Sequence, residues 1–168
     1  MELDYRTIKM DLGASGSYSA QRKLVGPIRT VMATDGKIHS GVIRSLTVIV
    51  SGSGFENDIS FIFSESSSFA SSGSVEEKTE LSDTGSLKYT PTFSDLQNIL
   101  GVVSASGSLG NNTTMITPLY SISTFLNVGI PFNCDSLYMA SVFNGENTSS
   151  FNSGSIWATV GYELGQSR

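Results

Sequence analysis

Ile156-Trp157-Ala158-Thr159-Val160-Gly161-Tyr162-Glu163-Leu164 places Ile156, Ala158, Val160 and Tyr162 at every second position. A strand sends successive side chains to opposite faces, whereas a helix repeats every 3.6 residues, so the stretch reads as a half-buried strand. Trp157 has the opposite parity and is expected to face outward or toward a partner subunit, with core or interface packing as its plain role. Upstream lies Leu137-Tyr138-Met139-Ala140-Ser141-Val142-Phe143, a second strand rich in apolar and aromatic residues. Residues 144–155 between them are Gly, Asn and Ser in the main, and the two strands are predicted to form a hairpin that closes the domain.

The same alternation recurs nearer the N-terminus. In residues 41–51, Leu46, Val48 and Val50 share one parity, and Ile59-Ser60-Phe61-Ile62-Phe63 resumes after the break at Ser51-Gly52-Ser53-Gly54. Strand, polar turn and strand predict an antiparallel hairpin. Residues 64–74 are serine-rich, and Glu76, Glu77, Glu80 and Asp83 extend them as a long polar loop. Ser94 can cap a helix running to Leu100, with Phe93, Leu96, Ile99 and Leu100 at helical spacing and Gly101 stopping it. Strand-like composition then fills residues 113–128, interrupted by Pro118.

Seven or eight strands, at most one short helix and no βαβ rhythm predict an all-β fold, an antiparallel β-sandwich of jelly-roll-like type. A seven-stranded sandwich and a jelly roll read alike at this level. The organisation expected is an N-terminal segment, 1–36, partly an extended arm, followed by a single sandwich domain, 37–168.

The 168 residues are enough for one domain with a real core. Only 15% are charged, against roughly 25% in ordinary globular domains, and hydroxyls, amides and 17 glycines take their place. The net charge of −5 argues against nucleic-acid binding, which draws on clustered basic residues. Arg6, Lys9, Arg22, Lys23, Arg29, Lys37 and Arg44 all precede residue 45, and only three basic residues follow. A solvated basic face is the plain reading of this asymmetry. The functional one is an arm in which Arg22, Lys23 and Arg29 reach an acidic neighbouring subunit. No run approaches the ~20 apolar residues of a membrane span. Met1-Glu2-Leu3-Asp4-Tyr5 lacks the basic and apolar regions of a signal peptide, so synthesis in a cytoplasm without export is expected.

Catalytic chemistry finds little to work with. His39 is the sole histidine and Cys134 the sole cysteine, so no disulfide and no usual zinc ligand set can form within the chain. His39 would have to serve any Ser-His-Asp or Cys-His site, and its place at the entry to a strand suits an ordinary exposed histidine. Cys134 is expected as a small buried apolar side chain. Asp83-Thr84-Gly85-Ser86 looks like the aspartic-protease triplet, but Glu80 stands where that pattern is apolar, and a turn is the natural reading. Gly13-Ala14-Ser15-Gly16 and Gly52-Ser53-Gly54 do not open helices and read as turns rather than phosphate cradles. No catalytic residue, cofactor or metal site is predicted, and the chain is expected not to be an enzyme. A hydrolase would need two acids facing each other across a cleft.

Ile130-Pro131-Phe132-Asn133-Cys134-Asp135-Ser136-Leu137-Tyr138-Met139-Ala140, a polar loop, and then Gly154-Ser155-Ile156-Trp157-Ala158-Thr159-Val160-Gly161-Tyr162 resemble the ending of small structural proteins of tailed bacteriophages. The resemblance covers the last quarter of the chain and rests on pattern. It implies a virion component, such as a head decoration (cement) or capsid accessory protein, whose partners are capsid or other virion proteins. Such proteins act as closed homo-oligomers, with a trimer favoured here. The alternative is a carbohydrate-binding β-sandwich, receptor-binding or lectin-like, in which Trp157 stacks on a sugar ring.

Overall fold

The computed structural model describes residues 4–13, 16–18, 23–26, 28–51, 59–67, 93–105, 113–117, 120–143, 149–151 and 154–165. The chain is all-β, an antiparallel sandwich of two sheets. The strands are β1 (Asp4–Asp11), β2 (Gly16–Tyr18), β3 (Lys23–Leu24), β4 (Arg29–Ala33), β5 (His39–Ser51) and β6 (Ile59–Ser64). After the single turn of helix α1 (Phe93–Leu96) come β7 (Ile99–Ala105), β8 (Thr113–Thr117), β9 (Tyr120–Cys134), β10 (Ser136–Phe143), β11 (Ser149–Phe151) and β12 (Ile156–Leu164).

The first sheet runs β1-β12-β5-β9-β8. The second runs β3-β10-β6-β7, with β4 continuing the β3 edge of β10. Counting β3–β4 as one strand and setting aside the short β2, β8 and β11 leaves eight principal strands. Their order, first-last-third-sixth in one sheet and second-seventh-fourth-fifth in the other, is jelly-roll-like. A small third sheet joins β11 to β2 inside what reads as a featureless loop.

Period-two burial fills the space between the sheets. Ile43, Leu46, Val48 and Val50 of β5 and Ile156, Ala158 and Val160 of β12 meet Phe61 and Phe63 of β6 and Leu137 and Met139 of β10, all essentially sealed from solvent. Phe132 and Tyr162 meet edge to face, with ring centroids 6.3 Å apart. The second sheet is buried on its other face too, where Ala140 and Val142 of β10 pack with Ile62, Leu24 and Ile28.

Four expectations need correction. Strands β5 and β6 are not a hairpin, since β5 pairs with β12 and β9 while β6 pairs with β10 and β7. Nor do β10 and β12 pair with each other, as they lie in opposite sheets. Alternating burial is satisfied equally by a hairpin and by a crossover between sheets, so the pattern cannot separate the two. The helix begun at Phe93 ends at Leu96, and Ile99-Leu100-Gly101 is strand paired to β6. Side-chain burial against a sheet overrides local helical spacing there.

The fourth correction concerns the N-terminal segment. Among the described residues, 1–36 is no arm outside a domain at 37–168. All eight residues of β1 pair with β12, and β3 and β4 both pair with β10. At the junction Gly26 (φ +77°) abuts the backbone of Leu12 so closely that a Cβ would overlap the Leu12 carbonyl oxygen. The serine-rich and acidic stretch at 68–92, with Asp83-Thr84-Gly85-Ser86, lies outside the described residues, as do Gly52-Ser53-Gly54, residues 106–112 and Pro118.

Candidate functional site

Positions that alternate away from the core build the outer face of the first sheet. Trp157 is 37% exposed while its neighbours Ile156 and Ala158 are buried, so the parity read from sequence holds and the indole faces outward. Its Nε1–H donates to the Gly154 carbonyl at 3.0 Å, which fixes the ring. Lys9 Nζ stands over the ring, 5.5 Å from its centroid. Asp11 is directly opposite Trp157 in the β1–β12 register. Its Oδ1 accepts the Gly13 N–H at 2.8 Å.

Further along β12 the face closes over Gly161. The exposed Tyr5 reaches across it to Ser45, hydroxyl to hydroxyl at 3.2 Å, and a Cβ on Gly161 would strike both. Beyond, Arg44 Nε donates to Glu163 Oε2 at 2.8 Å. Arg44 occupies the bulge where the β5 register shifts against both neighbours, which turns an extra side chain outward. Thr47 and Thr124 hydroxyls meet at 3.3 Å on the same sheet. Hydroxyls, two exposed aromatic rings, the Arg44–Glu163 pair, Lys9 and Asp11 make up this surface.

The basic residues expected in an arm are placed differently. Arg22 lies outside the described residues. Lys23 opens β3, its backbone opposite Phe143. Arg29 starts β4 opposite Met139, half-buried, and its Nε is buried with no hydrogen-bond partner among the described residues.

His39 and Cys134 are cross-strand partners in β5 and β9, a juxtaposition that their separation of 95 positions conceals. Contrary to the exposed side chain expected, His39 is half-buried, and its Nδ1 is buried without a partner. Cys134 is buried as expected. Burial first, and the Glu65 carboxylate second, push its thiol up to about 11. A nucleophilic cysteine needs the opposite shift. An open cleft of ≈ 340 Å³ beside it is lined by Ile38, Glu65, Asn98, Asn133 and Asp135.

Among the described residues no cluster of three His, Cys, Asp or Glu side chains is arranged to hold a metal ion. No helix there is long and apolar enough to cross a membrane. No protein-family model matches the chain, and no curated protein matches it in sequence.

Proposed function

We propose that this chain is a non-enzymatic structural protein of a virus particle, a capsid decoration (cement) or accessory subunit that works through protein–protein contacts. The jelly-roll-like strand order is the observation that carries this reading, since double-sheet jelly rolls are a common build of capsid proteins. The low charge and hydroxyl-rich composition fit a protein whose surface is matched to neighbouring subunits rather than to a diffusing substrate. The raised thiol of Cys134 speaks against covalent catalysis at the one cysteine–histidine pair. Its partners are capsid or other virion proteins and further copies of itself, with a trimer favoured. Its place is the virion, after synthesis in the host cytoplasm.

Light scattering on the purified chain, alone and with capsid particles, tests the proposal. A stable trimer that co-sediments with capsids supports it. A monomer that ignores them overturns it.

A further inference from the structure

We propose that Asp11, Lys9 and Trp157, at one end of the first sheet's outer face, form a binding site for a neutral pyranose sugar. This goes beyond the virion reading and does not depend on it. A pyranose offers an apolar C–H face and a rim of hydroxyls, each able to donate and accept. The site offers the complement of both. The indole is held by its bond to the Gly154 carbonyl and is partly open to solvent, so an aromatic surface is in place before a ligand arrives. The Asp11 carboxylate is fixed through Oδ1 by the Gly13 N–H. Its Oδ2 lies near Gly154, where a Cβ would stand 3.8 Å away, and glycine at φ +76° leaves that space empty of side chain.

Lys9 completes the set. Among the described residues no carboxylate lies at ion-pair distance from its ammonium, the two ion pairs joining Arg6 to Asp4 and Arg44 to Glu163. Its contact with the ring is weak at an exposed site, so the ammonium can follow a ligand hydroxyl. One sugar hydroxyl donates to Asp11 Oδ2, a neighbour accepts from Lys9 Nζ, and the C–H face rests on Trp157. A few placed polar groups around an aromatic surface fix orientation in this way. The acid and the base cancel, and Asp11 would repel a carboxylate or sulfate, so the sugar is a neutral one.

Trp157 is the only tryptophan, so its emission reports this site alone. The intact chain is titrated with the methyl glycosides of glucose, galactose, mannose and N-acetylglucosamine while indole emission is followed. A saturable change with at least one glycoside is expected, half-complete at about millimolar concentration for so small a ligand. Asp11→Asn keeps an oxygen for the Gly13 N–H and replaces the free acceptor with a donor. It should raise the half-saturation point about tenfold, with the thermal midpoint unchanged. No saturable change with any glycoside overturns the proposal, as does an unchanged half-saturation in Asp11→Asn. Emission that responds to capsid particles and to no sugar assigns the surface to a protein partner, and overturns it equally. Co-sedimentation of Asp11→Asn with capsids separates failure here from failure of the virion reading.

Discussion

Tyr5 and Ser45, forty positions apart, share a hydrogen bond that passes over the bare backbone of Gly161, a strand lying between theirs. Three strands are stitched together there because the middle one carries no side chain. Gly161→Ala would push against two movable hydroxyl ends, so the ring can lift away at a cost of about 1 kcal/mol or less. Gly41 stands in the same sheet, and there a Cβ would meet the Phe132 ring and the Glu163 carbonyl oxygen of the backbone, which cannot yield. Gly41→Ala should therefore cost about 2–4 kcal/mol, read as a far larger drop in thermal midpoint than Gly161→Ala gives.

Cys134 imposes a pH dependence of defined sign. Its folded thiol titrates at about 11, above the ordinary 9.0, so between those values the unfolded chain loses a proton that the folded chain retains. Its contribution to stability is full below pH 9, falls as pH rises from 9 to 11, and is constant above. Chemical unfolding at pH 8, 9.5 and 11 should show this loss in the native chain. Cys134→Ala should lack that component.

Arg44 and Glu163 pair at 2.8 Å with both side chains in reach of solvent. Screening and side-chain entropy leave such a pair little to contribute. A double-mutant cycle of Arg44→Ala and Glu163→Gln should return a coupling under about 1 kcal/mol, smaller still in high salt.

Removing the chain before Val31 should abolish cooperative unfolding. The deletion takes away β1, β3 and the start of β4, which uncovers the β12 edge and the outer side of β10. Circular dichroism and limited proteolysis would register the loss. A truncated chain that still melts sharply would return residues 1–36 to the status of a separate arm.

What the sequence disclosed follows from which contacts are local. Leu46, Val48 and Val50 share a parity and are all buried, as do Ile156, Ala158 and Val160, because period-two burial is written in neighbouring residues. The outward turn of Trp157 was legible for the same reason. Strand β1 was not. Asp4, Arg6, Lys9 and Asp11 punctuate an edge strand with charge, which is how edges resist stray pairing, and that camouflages it as a solvated tail. Ile99 and Leu100 carry helical spacing, and only the long-range partner β6 decides against it. Asp11 beside Trp157 and His39 beside Cys134 exist solely through register.

Since Asp4–Asp11 finds its place only against Ile156–Leu164, strand β1 must wait for a partner that is translated much later. The outer edge of the first sheet cannot close until β12 has been made. Until then β1 is a loose strand on a nascent polypeptide, exposed to whatever pairs with it first. On one message, neighbouring nascent chains are its nearest competitors. Yield should therefore be governed less by final stability than by how fast translation delivers β12, and slowing the codons of β12 should raise the aggregated fraction without altering the folded product.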